Sequence, residues 1–254
     1  RNLITRRSDF FMNTIFNTGV SGMIANQKKL DKTAHNIANV NTVGYKPEKA
    51  VFDSLVYTNM DVNAGNGEMA GHGVRQSQNR ISFRQGTLTA TGNPLDFAIA
   101  GEGFFAVEKD GAVEYTRKGS FSMSLENYRT YLVTEDGARV LDRYGRYVTV
   151  DLNYETGLPD YEQVKDSIGI FNFDNPYALD RAGSGRWLAS AASGAAAPVY
   201  FSDAADIRSG YLEASAVDIG EEMVGLIEAQ RAFQLSARIV QTADEIEQIV
   251  NNLR

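Results

Sequence analysis

Apolar residues recur at helical spacing at both ends of the chain, from Asn13 to about Val40 and from Ile219 to about Leu253. A glycine- and aromatic-rich region with frequent turn signals lies between them and reads as strands. In the C-terminal segment Ile219, Met223, Leu226, Gln230, Phe233, Ala237 and Val240 alternate steps of four and three. Leu235, Ile239, Thr242, Ile246, Ile249 and Leu253 follow the same steps on a different face. Asp218 followed by Glu221 has the form of a capping box, and Glu221 and Glu222 put negative charge at the positive end of the helix dipole. The segment holds no proline, and its glycines, Gly220 and Gly225, fall in the first two turns. A helix of roughly 34 residues, at ~1.5 Å rise each, is about 50 Å long and suits a coiled coil.

The N-terminal segment has a seam of its own: Phe16, Val20, Met23, Gln27, Leu30, Ala34 and Ile37. Gln27 and Gln230 sit mid-seam, where a polar residue commonly specifies register. Two arrangements fit this pattern: the terminal helices pair with each other, or each packs on the β region as a surface helix. The second stripe of the C-terminal helix adds a demand in either case. A helix with two apolar faces needs two neighbours, and other copies of the chain can supply the second.

In the middle, Phe104 to Val107, a Lys109-Asp110-Gly111 turn and Val113 to Thr116 form the clearest hairpin signal. Turns at Glu135-Asp136-Gly137 and Tyr144-Gly145-Arg146 bracket Val140-Leu141 and Tyr147 to Val150. From 182 to 206 the composition shifts to Ala, Gly and Ser and reads as a flexible connection. The expected fold class is α+β: long terminal helices pairing as a coiled coil, and a central, mainly-β domain.

Composition narrows the chemistry. The 254 residues carry 25 Lys+Arg against 32 Asp+Glu, a net charge of −7 that argues against sequence-independent nucleic-acid binding. No cysteine is present, which removes disulfides, thiolate metal sites and thiol catalysis. The two histidines, His35 and His72, give no metal-ligand spacing, and no Gly-x-Ser-x-Gly elbow occurs. Gly101-Glu102-Gly103-Phe104-Phe105-Ala106 matches Gly-x-Gly-x-x-Ala, but the residues after it continue as strand, so it reads as a tight turn. The expectation is therefore no catalytic, cofactor or metal residues. No apolar run is long enough to cross a membrane, and the start lacks the apolar core of a secretory signal. The asparagine-rich run His35 to Asn41 suits a helix end, with Gly44 as a permissive residue beyond it.

Asn36-Ile37-Ala38-Asn39-Val40-Asn41-Thr42-Val43-Gly44-Tyr45-Lys46 resembles the N-terminal signature of the flagellar axial proteins, the rod and hook family. Asn93 to Phe105 resembles the family's central motif and Tyr115 to Phe121 the element after it. Gly210 to Asp218, Glu222-Met223-Val224, Glu228 to Phe233 and Gln241 to Glu245 resemble its terminal helix. Val43, Ala216 and Phe233 depart from the usual Pro or Thr, Asn and Tyr. The resemblance divides the chain into an extension of unknown role (1–11), an N-terminal axial helix and signature (12–45), a central β-rich domain (46–215) and a C-terminal axial helix (216–254).

It implies a non-enzymatic subunit of the basal-body rod, proximal or distal, polymerising helically into the hollow drive shaft. The short stretch between Lys46 and Arg84 points toward the proximal rod or a close paralogue. A hook- or cap-like member of the family is the alternative, and a secreted β-rich enzyme a more distant one. Implied partners are further copies, other rod and hook proteins and the flagellar type III export apparatus, without nucleic acid or membrane insertion. The implied location is the basal body in the cell envelope and periplasmic space, reached without a cleaved signal peptide. The expected interface residues are Phe16, Val20, Met23, Leu30, Ile37, Met223, Leu226, Phe233 and Val240 within a helix pair, and Leu235, Ile239, Ile246, Ile249 and Leu253 between copies. Asn36, Ala38, Asn39, Asn41, Thr42, Gly44 and Tyr45 carry the family motif.

Overall fold

The structure, a computed structural model, describes residues 2–55, 57–59, 69–151, 159–199 and 205–252; its side chains are described from Thr14 onward, except at 57–59, 69–70 and 78. A long helix, α1 (Asn2–Ala38), opens the chain. Four strands follow: β1 (Glu48–Ser54), β2 (Tyr57–Asn59), β3 (Met69–Gly71) and β4 (Val74–Ile81). Then come β5 (Leu88–Ala90), β6 (Phe97–Gly101), β7 (Phe104–Lys109), β8 (Ala112–Thr116), β9 (Phe121–Glu126), β10 (Arg129–Thr134) and β11 (Arg139–Val140). A short helix, α2 (Tyr161–Ser167), precedes β12 (Ile170–Asn172), β13 (Asp180–Gly183), β14 (Arg186–Leu188), β15 (Ala197–Val199), β16 (Ala205–Ser209) and β17 (Tyr211–Glu213). The long helix α3 (Ile219–Asn252) follows. The five prolines all lie between Pro47 and Pro198, so neither long helix meets one.

The chain forms two compact units. The first comprises residues 1–38, 48–80 and 218–254. In it α1 and α3 run antiparallel: Gly19 faces Val240, Gly22 faces Ser236 and Gly225 faces Thr33. β1 pairs with β4, and β2 with β3. Residues 48–80, expected in the central domain, therefore belong with the terminal helices.

The second unit comprises residues 39–47 and 81–217. Its main sheet runs β13-β14-β8-β7-β11-β10-β9, and β12 joins β7 and β15. The β7–β8 hairpin turns through Asp110 and Gly111, both at positive φ, as a two-residue turn matched to strand twist requires. β11 and β12 share the other edge of β7, Val140 opposite Val107 and Ile170 opposite Phe105. Side-chain alternation along β7 serves two cores. Phe105 and Val107 join Phe97, Ile99, Leu132 and Ile207 on one face. Phe104 and Ala106 join Tyr115, Phe171, Phe173 and Trp187 on the other. Burial on both faces explains the unbroken Phe104-Phe105-Ala106-Val107 run. Residues 104–109 form a strand directly after Gly101 and Gly103, so no helix opens at those glycines.

Two further features differ from the sequence reading. The stretch 182–206, expected as a flexible connection, contributes β14 and β15, and its Trp187 is only 1% exposed. The mainly-β region also contains α2, which was not foreseen and whose N-cap Asp160 accepts from the Gln163 N–H at 3.2 Å.

Candidate functional site

In the first unit the α1–α3 contact is built around small residues. Ala25, Thr33, Asn36, Glu222, Ala229 and Ala243 are buried. On α3 the inward positions are 222, 226, 229, 233, 236, 240 and 243, again in steps of four and three. Leu226, Phe233 and Val240 lie on this face and are half-buried, as are Val20, Met23, Leu30 and Ile37 on α1. Phe16 and Met223 do not belong to the seam: they are 43% and 55% exposed. The seam is turned by about one residue from the expected one because Gly19, Gly22, Ala229 and Ser236 let the helices approach closely where larger side chains would hold them apart.

At the start of α3 three elements meet through Asn36. Its Nδ2 donates to the Glu48 carbonyl at 2.8 Å and to Glu222 Oε1 at 2.9 Å, while its Oδ1 accepts from the Glu48 N–H at 3.1 Å. One amide thus joins the end of α1 to the start of β1 and to the first turn of α3. Lys32 Nζ donates to Glu48 Oε2 at 2.7 Å, Lys49 Nζ to Glu221 Oε1 at 2.6 Å and Lys29 Nζ to Glu228 Oε2 at 3.5 Å. Asp218 caps α3, accepting from the Gly220 and Glu221 N–H groups. The second arm of the expected capping box is taken elsewhere, since Glu221 receives Lys49.

The outer face of α3 is apolar and bare. Leu235, Ile239, Ile246 and Ile249 are all exposed, from 46% to 60%, and so are Val224 and Ile227. Leu253 lies outside the described residues.

In the second unit the terminal signatures meet. The helix end is followed by a turn in which the Thr42 N–H donates to the Asn39 carbonyl at 3.1 Å and the Thr42 hydroxyl to Asn39 Oδ1 at 3.2 Å. Asn41 and Thr42 are exposed, as is Ala38, the last residue of α1 in the first unit. Gly44 takes φ +65°, and a Cβ there would lie 2.9 Å from the Arg117 carbonyl carbon. That close approach requires glycine. The Gly44 N–H donates to the Glu213 carbonyl at 2.8 Å, and the Ala216 N–H to the Tyr45 carbonyl at 3.1 Å. Tyr45 is buried. Beneath this pairing Lys46 Nζ donates to Glu213 Oε1 at 2.6 Å and to the Arg84 carbonyl at 2.8 Å. The Gly86 N–H also donates to Glu213 Oε1, and Arg117 lies 3.5 Å from Oε2. Burial lowers the Lys46 ammonium from the ordinary lysine value, with Glu213 acting against it.

Lys46, Arg117, Glu213 and Glu222 are the residues that the periodicity argument missed. Each lies inside a quoted motif, and the legible signal was a charged residue fixed within an otherwise apolar or glycine-rich signature. Among the described residues no group of three or more His, Asp or Glu is placed to hold a metal ion, and no helix is long and apolar enough to cross a membrane.

Bare helical stripes and converging terminal signatures are features of an axial, assembling class of protein, and three family models match in that order along the chain. "Flagella basal body rod protein" matches residues 16–46, "Flagellar hook protein FlgE/F/G D1 domain" residues 98–165 and "Flagellar basal body rod FlgEFG protein C-terminal" residues 208–253. The chain is 34% identical over 261 residues to the flagellar basal-body rod protein FlgG of Bacillus subtilis, covering 93% of this chain and 97% of that one. It is 34% identical over 263 residues to FlgG of Borreliella burgdorferi, with the same shares, and 32% identical over 244 residues to the rod protein FlgF of Mesorhizobium japonicum, covering 92% and 95%. The chain belongs to the flagellar basal-body rod proteins.

Proposed function

We propose that the chain is a non-catalytic subunit that polymerises helically with further copies and with other rod and hook proteins into the hollow shaft of the flagellar basal body. In that shaft it transmits torque and leaves a passage for exported proteins. The observation that carries this reading is the exposed stripe Leu235, Ile246 and Ile249, with Ile239 at its inner edge beside Gly19, on a helix already packed on α1 along another face. Burying each such side chain is worth about 1.5–3 kcal/mol, so contacts along a 34-residue helix accumulate into a stiff assembly. Pairing of α1 with α3 as a coiled coil through the small-residue seam gives the subunit a rigid spine. Family membership supports export by the flagellar type III route without a cleaved signal and a place in the cell envelope across the periplasmic space.

Ile246→Asp and Ile249→Asp test the stripe. Both variants should abolish motility and rod assembly while the second unit keeps its thermal transition. Normal swimming by either variant contradicts the assignment.

A further inference from the structure

The cleft between α1, β1 and the start of α3 encloses about 570 Å³ and is lined by four glutamates and three lysines. Each lysine is engaged by one glutamate: Lys29 by Glu228, Lys32 by Glu48 and Lys49 by Glu221. Glu222 is the acid left over. It is 9% exposed, and its carboxylate receives the neutral amide of Asn36 rather than a cation. The charged groups acting on it are Lys49 of β1, which favours its ionisation, and Glu221 of its own helix, which opposes it. On the α1 side Lys29 and Lys32 are already paired. The contact that fastens the first turn of α3 to α1 thus carries a buried carboxylate with no cation hydrogen-bonded to it, opposed only by Lys49 at a distance and by the positive end of the helix dipole.

We propose that Glu222 is a proton-operated lock on α3: neutralising its carboxylate tightens the packing of α3 on α1 and β1, and ionising it loosens that packing. The carbonyl oxygen of the neutral carboxyl still accepts from Asn36, so protonation removes the buried charge without breaking the bond. Burial acts in the same direction, holding the Glu222 carboxyl above the ordinary glutamate value against the Asn36 bond and Lys49. A carboxyl raised in the folded state stabilises it most at low pH and loses that contribution as pH rises through the folded value. Packing of α3 should therefore tighten as pH falls below neutrality.

The test is hydrogen-exchange protection of the α3 amides in the full chain, corrected for intrinsic exchange, from pH 8 downward. Wild-type protection should rise as pH falls, by at most about tenfold per pH unit for one proton. Glu222→Gln keeps the Asn36 bond and should be fully protected at neutral pH, with the rise abolished. His35→Gln with His72→Gln should leave the rise unchanged, separating Glu222 from the two histidines. A flat wild-type profile, a Glu222→Gln chain that keeps the rise, or a histidine variant that loses it would overturn the proposal.

Discussion

Asn36 shows how much one side chain can organise. Removing its amide leaves the buried Glu48 N–H and carbonyl and the Glu222 carboxylate each short of a partner. Unsatisfied buried groups of this kind cost about 1–3 kcal/mol each, partly offset by entering water. Asn36→Ala should therefore destabilise the first unit by about 2–4 kcal/mol, read from chemical denaturation followed by helical circular dichroism. Lys46 makes the corresponding case in the second unit. Lys46→Met leaves Glu213 buried beside Arg117 without its closest cation, and stability should fall by about 3–5 kcal/mol, with Trp187 fluorescence reporting the transition. Asn36 was legible from the sequence as a residue out of place in a helix interior, but its partners were not. Nothing local connects position 36 with 48 and 222, or 46 with 213, because those contacts exist only once the chain has returned on itself.

The antiparallel contact of α1 with α3 depends on what is absent from the seam. Large apolar residues spaced four and three apart drew the expected seam, yet several of them, Met223 among them, face solvent, and Ala229, Ser236 and Ala243 face α1. Periodicity weighted by side-chain size finds the most hydrophobic face of a helix. In a subunit that must keep one face for neighbours, the intrachain face is the less hydrophobic one. Ala229→Leu should force α1 and α3 apart and cost about 1–3 kcal/mol, lowering the midpoint of the helical melting transition, while Leu235→Ala on the bare face should leave that midpoint nearly unchanged. The β7–β8 hairpin was legible throughout because its signal is local: alternating residues around an Asp-Gly turn. The connection reading of 182–206 failed for the opposite reason, since its Ala-Gly-Ser composition conceals a single Trp187 that anchors a core formed by distant strands.

For the whole molecule, the two units divide the labour. One carries a doubly buried sheet with its own cores, and the other carries helices whose outer faces are unfinished. Exposed stripes on a free subunit invite aggregation, and coupling their folding to docking removes that hazard. The terminal helices should accordingly gain helicity on assembly. Circular dichroism of a dilute chain should show less helix than α1 and α3 together would give, the deficit lying beyond the 222–243 seam that is already packed on α1, and full helicity in the monomer contradicts that coupling. Family membership was legible because the signatures stand in order along nearly the whole chain, whereas assignment of 48–80 to the helical unit was not, since short strands carry little periodicity.

Because the natural chain holds no cysteine, single cysteines report contacts without background. The decisive measurement is oxidative cross-linking in isolated basal bodies, with Ile246→Cys on the bare face and Ala243→Cys in the buried seam. Covalent dimers through position 246 and none through 243 are the predicted result. Cross-linking at 243 with none at 246 would contradict the account.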